Sequence, residues 1–213
     1  MNKAGKDKYP AVFTNGRFDG IHAGHLQLFE EVFRQCSLNI PRGGYVMVGV
    51  DTDKRYAKVT GRTPRYSEHD RMAVVQTLLQ GIALTYPGED CPRIHVFPMN
   101  YPPSELIPKV RIYVKGADAL DNQSEQLKKD IRVAFENNVP VYFAPVKFSA
   151  RGEKLSSSAA RGFATEDCRL DISGEAIPDH VLFIDRGNPG GDFSTWLEQW
   201  ECGEDGDKDG DRK

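Results

Sequence analysis

GRFDGIHAGH, residues 16–25, sets two histidines three positions apart among three glycines. It directly follows the apolar run YPAVFTN and runs, through a shared His25, into the pattern HLQLFEEVFRQC. The first run is short, β-branched and aromatic, which reads as a buried strand. The second carries Leu26, Leu28, Phe29, Val32 and Phe33 at helical spacing. The quoted stretch is therefore a strand-to-helix turn. In an open α/β sheet, ligands bind beyond the carboxyl ends of the strands, where such a turn lies. The free N–H groups and dipole of a helix start favour anions. Gly16, Gly20 and Gly24 permit tight turns and close backbone approach, and an imidazole can donate to a phosphate oxygen. Position thus favours a phosphate site over two merely polar surface histidines. A zinc site has neither HExxH nor a nearby cysteine pair to support it. A dinucleotide fold or a P-loop would need GxGxxG or GxxxxGK[ST], and neither is present.

The alternation continues outward. YVMVGVD, RIHVFPM, RIYVKG and PVYFAPV read as strands. RMAVVQTLLQGI, with Ser67 as its cap, and SEQLKKDIRVAFENN, with Leu127, Ile131 and Phe135, read as helices. Strands alternating with helices predict an α/β fold, a Rossmann-like parallel sheet with helices on both faces. This domain is expected over residues 9–163. Residues 164–200 read as a C-terminal extension of unassigned role, with DHVLFIDRG as one more strand and FSTWLEQWE as a short helix. Residues 201–213 read as a charged, disordered tail. Asp205, Asp207, Asp209 and Gly210 match the first half of a calcium loop, but a solvated tail is the stronger reading.

Composition narrows the function classes. Hydrophobic residues make up 39% and charged residues 28% of the 213-residue chain, enough for a core. A net charge of −3 argues against a duplex nucleic-acid binder. Cys36, Cys91, Cys168 and Cys202 are widely spaced and read as reduced thiols rather than a disulfide framework. The polar start MNKAGKDKYP has no signal core, and no apolar run reaches membrane-spanning length. A soluble cytoplasmic protein is expected.

Three further stretches carry chemistry. KRYAKVTGRTPRYS, residues 54–67, holds Lys54, Arg55, Lys58, Arg62 and Arg65 and no acid. It reads either as a solvated basic loop or as a flexible cover over a polyanion; its place after the second strand favours the cover. KGAD, residues 115–118, ends a strand and alone is any turn. RGEKLSSSAARGF, residues 151–163, places serines before a helix start, where simple capping and anion binding are equally supported.

Taken together, these stretches resemble the nucleotidyltransferase superfamily in its cytidylyltransferase-like branch. TNGRFDGIHAGH is similar to that family's HxGH motif. The resemblance implies that His22 and His25 contact the nucleotide phosphates and stabilise the departing pyrophosphate. It implies nucleotide contacts from Asn15, Gly16, Arg17, Phe18 and Gly24. Lys58 fits the family's phosphate lysine, and Arg71 in EHDRM its arginine at the next helix start. Lys115, Gly116 and Asp118 match its KGxD, with Asp118 on the acceptor or a ribose hydroxyl. Arg151 and Ser156, Ser157 and Ser158 match its RTxGISTT motif, with departures at Gly152 and Lys154. By this resemblance His22, His25, Lys58 and Arg151 are the catalytic set, with no protein metal ligand and Mg²⁺ carried by the substrate.

The family's reaction is attack of an acceptor phosphate on the α-phosphate of a nucleoside triphosphate, with release of pyrophosphate. A phosphate monoester, with its second pKa near ~6, is already ionised and needs no general base. PSELIPKVRIYVKGAD resembles the adenylyltransferase of ADP-heptose synthesis, which favours ATP and a sugar phosphate. RGEKLSSS resembles glycerol-3-phosphate cytidylyltransferase, which would use CTP and a polyol phosphate. No kinase-like segment precedes residue 9, so a single activity is expected. A non-catalytic nucleotide-binding regulator is the alternative of another class; the intact His22, His25, Arg71 and Arg151 count against it. A homodimer is expected by family analogy alone.

Overall fold

The computed structural model describes residues 8–40, 43–86, 88, 91–117, 119, 124–144 and 183–184. Strands β1 (Tyr9–Gly16), β2 (Tyr45–Asp51), β3 (Arg93–Met99), β4 (Val110–Gly116), β5 (Val141–Ala144) and β6 (Phe183–Ile184) form one sheet. Their spatial order is β3-β2-β1-β4-β5-β6. Neighbours from β3 to β5 are parallel, and β6 joins β5 antiparallel. The expected parallel α/β sheet is thus present, and the strand expected in DHVLFIDRG is realised as the pair Phe183–Ile184.

Helices α1 (Ala23–Asn39), α2 (Asp53–Thr60), α3 (Glu68–Ala83) and α4 (Glu125–Glu136) connect the strands. Side chains alternate across a strand, so each strand feeds two cores. Val12, Val46, Val48, Ile112 and Val114 face α1 and α3, where Phe29, Val32, Phe33, Val75 and Leu79 are buried. Ala11, Phe13, Tyr113 and Phe143 face the opposite side, where α4 contributes Leu127 and Ile131 and two short 3₁₀ turns around residues 103–109 contribute Leu106 and Ile107. Both faces are therefore covered, which is why the strands read as nearly continuous apolar runs. The chain moves outward from β1 to β2 and β3, then returns to the other side of β1 as β4. The crevice between β1 and β4 is the topological switch point where such sheets bind ligands.

The basic stretch 54–67 differs from the expected loop. Its first half is α2, capped by Thr52, whose side chain accepts from Arg55 N–H. Asp53 in the first turn and Lys58 in the last suit the helix dipole, and Gly61 ends the helix at φ 67. Tyr56 is this helix's only buried residue, so no apolar stripe advertised it. Ser67 caps α3 as expected, its side chain accepting from Asp70 N–H. Among the described residues no helix is long and apolar enough to cross a membrane. Asp118, Arg151 to Ser158, Cys168, Cys202, the 185–200 segment and the calcium-like tail lie outside the described residues.

Candidate active site

The turn after β1 is shaped by one close contact. Phe18 takes a positive φ of 50, rare for a side chain other than glycine. Its ring folds back over Gly16, where an added Cβ would lie 2.8 Å from Phe18 Cζ. The ring is 3% exposed and packs on Phe29 and, edge-on at 5.3 Å, on His25. Gly20 completes the turn at φ 112, where other residues are strained.

His22 occupies the cap position of α1, with extended backbone at φ −142 and ψ 172, and His25 is the third helical residue. The pair therefore shares the helix mouth rather than one regular turn, with ring centroids 3.9 Å apart. The backbone N–H of His22 donates to His25 Nδ1 at 3.3 Å. An accepting Nδ1 is bare, so the neutral ring carries its proton on Nε2. Burial, with the neighbouring charges of His22 and Arg17, lowers His25 to about 3. His25 is thus a neutral Nε2–H donor at physiological pH. It stands at a helix N-terminus where Ala23 and Gly24, the first two helical residues, have no intrahelical acceptor for their N–H groups.

On the opposite face of the sheet, the carboxyl ends of β1, β2 and β4 carry a polar cluster. Tyr113 Oη donates to Asn15 Oδ1 at 2.9 Å. Lys115 Nζ crosses the switch point to the carbonyl and Oδ1 of Asn15, at 3.1 and 3.2 Å. Arg55 Nε donates to Asp51 at 2.8 Å. Asp130, from α4, accepts from Gln126 at 2.7 Å. Burial pushes its carboxyl up to about 6 despite the opposing pull of Lys115 and its hydrogen bonds.

Arg71 is 2% exposed. Its guanidinium donates to the Tyr66 carbonyl at 3.1 Å, to the Arg17 carbonyl and to Asp53 Oδ1 at 2.7 Å. Lys58 is exposed on α2, and the charges acting on His25 come from His22 and Arg17. Among the described residues no group of three or more His, Cys, Asp or Glu is arranged to hold a metal ion.

A switch-point crevice flanked by a histidine-bearing helix mouth and a lysine-bearing strand end suits a polyphosphate. The comparison with known proteins agrees: a cytidylyltransferase-like family profile matches residues 13–163. The chain belongs to the cytidylyltransferase-like family. A bifunctional protein HldE from Mesorhizobium japonicum is 32% identical over 107 residues, 50% of this chain and 18% of that protein. A bifunctional protein HldE from Gluconobacter oxydans is 30% identical over 115 residues, 53% of this chain and 20% of that protein. The chain therefore spans about a fifth of the length of these relatives.

In this cytidylyltransferase-like domain, Asn15, Gly16, Arg17, Phe18, His22, Gly24 and His25 fall on one turn, with Lys115 and Gly116 on the adjacent strand end. Asp118, Arg151, Ser156, Ser157 and Ser158 lie outside the described residues. Sequence reasoning passed over Asp19, Tyr56, Asp51 and Asp130. Asp19 stands inside the opening motif, and its signal was a lone acid between a buried aromatic and a glycine. Asp51 ends a strand otherwise wholly apolar after Tyr45. Tyr56 and Asp130 carried no signal beyond helical position.

Proposed function

We propose that this chain is a nucleotidyltransferase that joins a nucleoside triphosphate, with ATP favoured, to a phosphorylated small acceptor such as a sugar phosphate, releasing pyrophosphate. The observation that carries this reading is the His22–His25 pair at the mouth of α1, beside the β1–β4 switch point. The sequence likeness of PSELIPKVRIYVKGAD to sugar-phosphate adenylyltransferases supports ATP. RGEKLSSS supports the second reading, a CTP-dependent enzyme for glycerol 3-phosphate or a similar polyol phosphate.

An acceptor phosphate oxygen attacks the α-phosphorus in line as the bond to the β-phosphate bridging oxygen breaks. The acceptor is already an anion, so no side chain has to remove a proton. What the protein supplies is positioning and charge stabilisation. His25 Nε2–H and the first N–H groups of α1 meet the charge growing on the departing pyrophosphate, and His22 acts beside them. A neutral donor costs nothing in repulsion from Arg17 before the substrate binds, and gains strength as negative charge develops. Lys115 reaches the phosphates across the switch point, and Lys58 and Arg151 are read as further phosphate contacts. Mg²⁺, bound to phosphate oxygens and water, would neutralise part of the phosphate charge.

The test is pyrophosphate release with ATP and CTP, each against sugar 1-phosphates, glycerol 3-phosphate and similar polyol phosphates. Release with one pair identifies nucleotide and acceptor together. Nucleotide binding without release under every pair favours a regulator instead.

A further inference from the structure

The histidine turn and the basic segment are fastened together by hydrogen bonds, one of them fully buried, that the transfer step does not use. Asp19, 7% exposed, lies one residue from Phe18 and three from His22. Its Oδ2 accepts from Tyr56 Oη at 2.9 Å, and its Oδ1 accepts from the backbone N–H groups of Arg65 at 2.9 Å and Tyr66 at 3.2 Å. Arg71 closes the ring: it donates to the carbonyls of both Tyr66 and Arg17, and its guanidinium lies 5.6 Å from the centre of the Tyr56 ring. Tyr66 is thus gripped through its N–H by the histidine turn. It is gripped through its carbonyl by an arginine that holds the same turn.

This arrangement works against electrostatics. The segment 54–67 carries five cations, Lys54, Arg55, Lys58, Arg62 and Arg65; Arg55 is paired with Asp51, and Arg17 on the turn adds to the remaining four. Without a ligand these charges repel, and the exposed part of the segment would swing away. A buried carboxylate is costly unless charge-assisted hydrogen bonds satisfy it. Here all three donors come from the segment that repulsion would drive off. We propose that Asp19 and Tyr56 are positioning residues for nucleotidyl transfer. Their hydrogen bonds hold the cations of residues 54–67 against the histidine turn, so that a polyphosphate meets a preformed surface. The inference rests on the nucleotidyltransferase reading for its consequence, but the clasp itself can be read without it.

The variants Tyr56→Phe, Asp19→Asn and Asp19→Ala test it. Tyr56→Phe removes one hydrogen bond at nearly constant shape. Asp19→Asn keeps an oxygen for both amides, and Asp19→Ala removes all three bonds. The expected kcat/KM for the triphosphate falls roughly tenfold in Tyr56→Phe and further in Asp19→Ala, mainly through KM, with Asp19→Asn between wild type and Asp19→Ala. Amide exchange at Arg65 and Tyr66 should quicken in the same order. A merely structural role would lower the melting temperature and the active fraction while leaving KM unchanged. Unaltered KM in folded Tyr56→Phe and Asp19→Ala overturns the proposal. If the wild-type chain releases no pyrophosphate with any substrate pair, the functional reading fails by itself. Unaltered exchange at Arg65 and Tyr66 then overturns the clasp, and quickened exchange upholds it.

Discussion

The N–H of His22 donates to Nδ1 of His25, so the first histidine of the pair fixes the tautomer of the second. The proton of His25 must then sit on Nε2. With the ring held down to about 3, it should stay neutral well below physiological pH. Nitrogen NMR of the histidines should show a bare Nδ1 and a protonated Nε2 for His25 from pH 8 to pH 5. A triphosphate bound at the helix mouth should raise its pKa, because a neighbouring anion favours the imidazolium. Titration of His25 near the ordinary 6.5 in the free protein would contradict this geometry.

Two groups, the partly buried His25 and the buried Asp130, give the stability curve opposite slopes. His25 is depressed from 6.5 to about 3 by burial first. Below pH 6.5 the unfolded chain binds a proton that the folded chain refuses, so stability falls as pH drops towards 3. Asp130 is raised from 3.8 to about 6, again by burial. Between pH 6 and 4 the folded chain binds a proton that the unfolded chain does not, so stability rises on acidification. Each slope is at most about 1.4 kcal/mol per pH unit, so the two nearly cancel between pH 6 and 4. Relative to wild type, His25→Asn should gain stability on acidification through this window and Asp130→Asn should lose it. Denaturant titrations at pH 7, 6, 5 and 4 measure both; parallel curves for all three proteins would contradict the assignment.

Gly16 is required by space. A Cβ there meets Phe18 Cζ at 2.8 Å, and Phe18 is the residue packed on His25. Gly16→Ala should displace the Phe18 ring, cost about 1–3 kcal/mol of stability and lower pyrophosphate release well beyond the loss in folded protein. Full specific activity in this variant would show that the Phe18–His25 contact has no bearing on the site.

Asn15 and Lys115 meet at the switch point but should fail differently. Asn15→Ala strips the acceptor from the buried Tyr113 hydroxyl, which should cost about 1–3 kcal/mol of stability. Lys115→Met keeps the stem and removes the charge, so its main effect should be a roughly tenfold or greater rise in KM for the triphosphate. Thermal unfolding and steady-state kinetics on both variants separate the two losses.

The fold was legible because its central strands β1, β2 and β4 are largely buried on both faces and its larger helices carry apolar stripes, as in Leu28, Phe29, Val32 and Phe33 of α1. α2 was not legible, because its eight residues, half of them charged, bury only Tyr56 and read as loop. The histidines announced themselves through spacing and position. The tautomer, the depressed His25 and the folding of Phe18 over Gly16 are tertiary facts with no sequence period. Asp19 illustrates the boundary: its partners Tyr56, Arg65 and Tyr66 are 37, 46 and 47 residues away. The contacts of Arg71 are tertiary facts of the same kind: its guanidinium donates to Tyr66, Arg17 and Asp53, none of which a sequence period announces.

The central claim is that the histidine pair stabilises the departing pyrophosphate, and single-turnover pyrophosphate release tests it most directly. With the substrate pair that turns over best, His22→Ala and His25→Ala should each slow the transfer step by roughly 10²-fold or more, as loss of one preorganised donor does, while triphosphate binding weakens far less. Wild-type transfer rates in both folded variants would contradict the account.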